Sequence, residues 1–260
     1  MQDRYAGDIG DYVKLAFLRQ LEEANACKAL GVAWYRVPNE DGKEDGRYIR
    51  YLSEPDYWQE FCPETFTALA RVVCEERSVA RLQATGLLKT TCFHGVPLNA
   101  RDSRKGSRGA ARDEWFSSVK EAVRDCDLVF VDPDNGIAAG GFDVEDHRSH
   151  KSIAMGELVS LGEGSRGLVI YHHQTRSAGG HLVEVDRLHE QLRGTGLIPA
   201  GSLRARPWSP RLFILINASG DQVAIAKRFA ERWVGEVDWF PAGESAASRT
   251  LQMRERRSRA

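Results

Sequence analysis

Four short stretches hold most of the side chains able to do chemistry. The first is "DLVFVDPDNGI" (127–137), where a β-branched, apolar run ends in two aspartates, an asparagine and a glycine. Pro133 stiffens the exit and Gly136 admits positive φ. Asp132 and Asp134 make a carboxylate pair able to share a proton, hold a divalent cation or accept a substrate N–H, with the Asn135 amide beside them. A plain turn also favours these residue types, but it needs only one or two of them.

The second stretch is "YHHQTR" (171–176). Adjacent strand residues point to opposite faces, so one of His172 and His173 faces the functional side. With Asp132 or Asp134, and His181 as a further candidate, such a histidine could ligate a metal or move a proton. On the metal reading the set is Asp132, Asp134 and His172, and the ion is Mg²⁺ or Mn²⁺. No H-E-x-x-H spacing accompanies it. The third stretch is "NEDGKEDG" (39–46). Gly42 and Gly46 allow close backbone approach, and Glu40 or Asp41 could accept a ribose hydroxyl, although a G-x-G-x-x-G is absent. The fourth is "DRYAGDIGDYVK" (3–14), which crowds Tyr5, Gly7, Asp8, Asp11 and Lys14 together. Lys14 shares a helix face with Asp11. A surface ion pair would account for those two, but not for the preceding Y-A-G-D-x-G. Before the helix that starts near 181, the glycines of "SAGGH" (177–181) offer backbone N–H groups to an anion.

The elements that must position these residues alternate. Helical spacing marks 11–25, 113–126, 181–196 and 221–235, and a helix is expected over 150–165. Apolar strands are expected at 29–37, 90–98, 127–132, 166–173, 211–217 and 236–240. Two helical runs, "PDYWQEF" and "PETFTALARVVCEERSVARLQ", form an insertion at about 53–88 between the first two strands. Strands separated by helices predict an α/β fold: a doubly wound, mainly parallel sheet. Ligands of such sheets bind beyond the carboxyl ends of the strands. The polar sets after three strands, "VPNEDG", "DPDNG" and "YHHQTR", would then converge on one crevice.

Residues 1–243 read as a single α/β domain and 244–260 as an Arg-rich tail. The 260 residues are ordinary in apolar content, at 42%, and carry a net charge of −1, so bulk charge does not mark a nucleic-acid binder. Local charge is less even. The Arg-rich loop at 101–112 is the candidate contact with nucleic-acid phosphate. Five scattered cysteines with no C-x-x-C argue against a disulfide framework and a cysteine zinc knuckle. Neither a signal peptide nor an apolar run of membrane-spanning length is present, so a cytoplasmic protein is expected.

"YAGDIGDYVK" resembles the A-G-N-x-A-D-x-x-K opening of the ribosomal-RNA adenine-N6 methyltransferases of the single-chain, competence-associated type. The layout is also similar: "NEDGKEDGRY" stands in place of that family's glycine-rich cofactor loop, and "DPDN" in place of its D-P-P-Y. "LVIYHHQTR" and "FILIN" stand in place of its later strands. The chain looks like a divergent bacterial relative. The resemblance implies a Rossmann-like methyltransferase core and S-adenosylmethionine as cofactor. Tyr5, Gly7, Asp11 and Lys14, with Asp41 and Gly42 of the loop, would line the cofactor pocket. Asp132 would accept from the target amino group. Asp134 and Asn135 replace a proline and an aromatic that hold and stack a flipped base, so the stacking surface differs.

Three functions are therefore expected. A methyltransferase acting on a nucleic acid or nucleotide-like substrate would use Asp132, Asp134 and Asn135 to orient the acceptor and His172 or His173 as base. A metal-dependent hydrolase or nuclease would use the metal set above. A non-catalytic member would bind RNA or a protein through the Arg-rich loop.

Overall fold

A computed structural model describes residues 1–39, 46, 48–89, 91–99, 103–138, 140, 142–175 and 177–244. The chain opens with helix α1 (Ile9–Glu23), which Asp8 caps by accepting from the Asp11 N–H. Strand β1 (Leu30–Ala33) follows. Three helices then form the insertion: α2 (Pro55–Trp58), α3 (Pro63–Glu75) and α4 (Val79–Gln83). Pro55 and Pro63 begin their helices, where a missing N–H costs nothing. Next come β2 (Thr91–His94), α5 (Arg108–Ala122), β3 (Leu128–Val131), and the short pair β4 (Gly136–Ile137) and β5 (Ser152–Ile153). The chain ends with α6 (Met155–Leu161), β6 (Gly167–His173), α7 (Gly180–Gly194), β7 (Pro199–Ala205), β8 (Arg211–Ile216), α8 (Gly220–Arg232) and β9 (Val237–Pro241).

Seven strands form one sheet in the order β2-β1-β3-β6-β8-β7-β9. The first four are mutually parallel. β8 runs antiparallel to β6 and β7, and β9 antiparallel to β7. Five strands therefore share one direction, a mixed sheet dominated by parallel strands and compatible with a Rossmann-like fold. Period-two alternation splits the central strands between two cores. Leu128 and Phe130 pack with α1, α3 and α8, whereas Val129 and Val131 pack with α5, α6 and α7. Both faces are covered, so these strands read as continuous apolar runs.

The parallel strands lie in the flavodoxin-like order: second, first, third, fourth. From β1 the chain crosses to one side, and from β3 to the other. The carboxyl ends of β1 and β3 therefore flank a topological switch point, where such sheets bind ligands.

Three expectations change. A strand at 199–205 was not expected; its Gly201, Ser202 and Arg204 dilute the apolar pattern, and its register shifts between Pro199 and Gly201. Residues 150–165 are not one helix, because β5 pairs with β4 before α6 begins. The Arg-rich loop ends early: α5 starts at Arg108, and Arg112 is buried inside it. The expected tail falls, but for Glu244, at 245–260, outside the described residues. Among the described residues no helix is long and apolar enough to cross a membrane.

Candidate functional site at the switch point

A pocket of about 300 Å³ opens at the carboxyl ends of the strands. Its walls come from the start of α1, the segment after β3, the end of β6 and the start of β8. Lys14 sits at its base, 3% exposed. Its Nζ lies 2.7 Å from Asp11 Oδ1 and 2.7 Å from Asp132 Oδ2. The rings of Trp34, Tyr171 and Phe130 surround the ammonium at 5.4–5.8 Å. Burial opposes the charge on Lys14, but Asp11 and Asp132 more than offset it and raise its pKa well above the ordinary value. One ammonium is shared by two buried carboxylates, so burial still raises the Asp132 pKa against the pull of Lys14.

The amino-terminal motif is built to make this cluster. Gly7 has φ +82°, and a Cβ there would meet Val73 at 2.5 Å, so only glycine fits the turn. Its N–H donates to Asp11 Oδ2 at 2.9 Å, which fixes that carboxylate for Lys14 one turn on. Asp8 caps the helix and also lines the pocket; burial raises its pKa, with Arg211 opposing.

Asp134 is held separately. Its oxygens lie 3.2 Å from the Met1 amino group and 2.6 Å from Gln2 Nε2. Burial would raise its pKa, but the amino group and Gln2 outweigh that and lower it. The same amino group donates to the carbonyls of Tyr35, just past β1, and Asp132, just past β3. It lies in the cleft of the switch point. Asn135 lines the pocket, and its backbone N–H donates to Lys151 O.

The two histidines part company. His173 faces the pocket with Tyr171, the rings stacked at 15°. Its Nδ1 is 3.4 Å from the Tyr171 hydroxyl and its Nε2 3.3 Å from Ser209 Oγ. Burial first, then Arg211, lowers its pKa. His172 points to the other face. Its Nδ1 accepts the Ile137 N–H at 3.1 Å, which leaves the ring proton on Nε2, 3.3 Å from Glu184. Gly136 makes room for it: a Cβ would stand 2.4 Å from Nδ1. His172 thus braces β4 and α7 and is not placed for catalysis.

The metal set does not assemble. Asp132 turns to Lys14, Asp134 to Met1 and Gln2, and His172 lies on the far face. Among the described residues no group of three or more His, Cys, Asp or Glu is arranged to hold a metal ion. His181, on α7, is buried and does not line the pocket; burial first, then Arg204, pushes its pKa down to about 4. Glu40, Asp41 and Gly42 lie outside the described residues. The end of that loop does reach the pocket, through Gly46 and Tyr48, beside Tyr5. Arg112, expected in a phosphate-binding loop, instead donates to Ser149 O, Ser152 O and both oxygens of Glu157. Arg104 and Lys105 stay exposed.

Arg211 was not anticipated. It is 2% exposed, lines the pocket, and its Nε and Nη1 have no hydrogen-bond partner among the described residues. The sequence signal was an arginine heading the otherwise apolar "RLFILI". Comparison with known proteins returns no matching family model, curated protein or solved structure.

Proposed function

We propose that the chain is an S-adenosylmethionine-dependent, methyltransferase-like enzyme whose acceptor is a nucleic acid or nucleotide-like molecule. One observation carries the reading. The two motifs closest to the ribosomal-RNA methyltransferases, "YAGDIGDYVK" and "VDPDN", lie far apart in sequence. They meet in one ion cluster, with Lys14 and Asp132 118 residues apart joined at 2.7 Å. The cluster lies where wound sheets bind cofactors.

The lining suits a zwitterionic nucleoside cofactor. Asp8, Asp11, Asp132 and Asp134 stand against Lys14, Lys151, Arg211 and the Met1 amino group, so both signs are offered within one pocket. Tyr5 and Tyr48 supply aromatic wall. When bound, the cofactor supplies an electrophilic methyl group on a sulfonium. The protein's part is to hold the acceptor lone pair in line and to exclude water. Lys14 fixes the Asp132 carboxylate, whose Oδ1 takes no part in the Lys14 contact and is the atom to accept from an acceptor N–H. His173 is the proton acceptor. Arg104 and Lys105, exposed before α5, are candidate phosphate contacts.

The test is transfer of isotopically labelled methyl groups from S-adenosylmethionine to RNA oligonucleotides. Incorporation by the wild type, lost in Asp132→Asn, is expected. No incorporation, together with no binding of S-adenosylmethionine by calorimetry, would overturn the reading.

A further inference from the structure

The geometry points to an oxyanion-binding subsite built on Arg211. It stands on the placement of that guanidinium, not on the identity of the cofactor. A buried guanidinium ordinarily uses its fork of donors, because an unpaired polar group out of water is costly. Arg211 leaves Nε and Nη1 without partners while lining the pocket. The two atoms lie on different edges of the guanidinium, each edge completed by Nη2, so an oxyanion at either edge meets one donor that the fold leaves unused.

The surroundings hold the guanidinium in place. Arg211 is the first residue of β8, and β6 pairs it with His173. Tyr171 and Asp8 keep the guanidinium charged against burial. Gly10, in the first turn of α1, provides the space: a Cβ there would stand 3.2 Å from the guanidinium carbon and 3.2 Å from Nε. Asp8 is near enough to be felt, yet Asp8 accepts from the Asp11 N–H as a helix cap, and the open donors of Arg211 remain open. Ser209 Oγ and His173 line the same wall and offer further hydrogen bonds to such a group.

The chemistry selects a ligand bearing a terminal, planar or tetrahedral oxyanion. Two sources share it: the carboxylate of an amino-acid-bearing nucleoside, and the phosphate of a nucleotide. Pairs of ligands that differ only in the anion separate them. The first pair is S-adenosylmethionine and its decarboxylated form; the second is adenosine 5′-monophosphate and adenosine. Calorimetry on the full chain should show the anionic member of one pair binding at least about tenfold tighter, as expected of a charge-assisted bidentate contact. Arg211→Gln should collapse that difference. Arg211→Lys, which keeps charge but loses the fork, should remove most of it. Thermal unfolding of each variant checks the fold, and if Arg211→Gln does not fold, Arg211→Lys gives the answer.

Discrimination in the first pair places a carboxylate on Arg211, and in the second pair a phosphate. If only the second pair discriminates and S-adenosylmethionine does not bind, the subsite stands while the methyltransferase reading falls. If S-adenosylmethionine binds equally with and without its carboxylate and the nucleotide pair is also indifferent, the subsite is refuted. Discrimination that survives in a folded Arg211 variant refutes it too.

Discussion

Arg112 and Arg211 are buried to the same extent, each 2% exposed, and they differ in everything else. Arg112 belongs to α5 and spends its donors on two carbonyls and the Glu157 carboxylate. Glu157 in turn accepts from the Ala154 N–H at the head of α6 and lies 3.3 Å from the Tyr35 hydroxyl. That network ties α5, α6 and the end of β1 together with its polar capacity used. Arg211 stands in a cavity wall with two donors open. Buried charge alone therefore does not mark a functional centre here. What sets the two arginines apart is that Arg211 lines a cavity and leaves hydrogen-bonding capacity unused. The histidines repeat the contrast within two residues: His172 is spent on Ile137 and Glu184, and His173 faces the pocket.

Substitutions should separate the two regions. Arg112→Ala should have the largest effect on stability, about 3 kcal/mol lost, because it strands a buried carboxylate and two carbonyls; urea unfolding measures it. Asp132→Asn should cost less, about 1–2 kcal/mol, since Lys14 keeps Asp11 as partner, while ligand binding and methyl transfer fail outright. A drop as large as that of Arg112→Ala would make Asp132 a scaffold residue.

The acid limb of stability belongs to the spent side. Burial would raise the Glu184 pKa, but His172 and Thr175 outweigh it and lower it to about 2 from an ordinary 4.5. Its contribution is therefore complete above pH 4.5 and is lost as pH falls toward 2. His181, held near pKa 4 rather than 6.5, acts earlier, because below pH 6.5 the unfolded chain takes up a proton that the folded chain refuses. Unfolding followed across pH 2–7 should show both losses, and Glu184→Gln should flatten the lower one. Arg211→Gln should cost less than Arg112→Ala, since it removes a countercharge of Asp8 but strands no carbonyl or carboxylate that it hydrogen-bonds. A loss comparable to Arg112→Ala would erase the distinction between the arginines.

Much of this layout was legible in the sequence. The apolar strand ending in "DPDN" and the helix-spaced "GDYVK" are local patterns, and each predicted its own element and its polar end. The general rule for wound sheets brings the strand ends together, because β1, β3 and β6 are neighbours, whereas the place of "GDYVK" beside "DPDN" was expected only from the family resemblance. Period two also predicted that only one histidine could face the site. Arg211 escaped because its role depends on β8 entering antiparallel beside β6, a long-range pairing that local pattern does not encode. The strand at 199–205 escaped because Gly201 and Arg204 break its apolar run. Arg112 misled because charge read along a sequence does not reveal which arginine finds carbonyls inside the fold.

The most direct test of the claim that function lies in the cluster at the switch point is a thermal-shift comparison with S-adenosylhomocysteine on three proteins: the wild type, Arg112→Lys and Asp132→Asn. The ligand should raise the melting temperature of the first two and leave the third unmoved. No shift in the wild type, or equal shifts in all three, would contradict it.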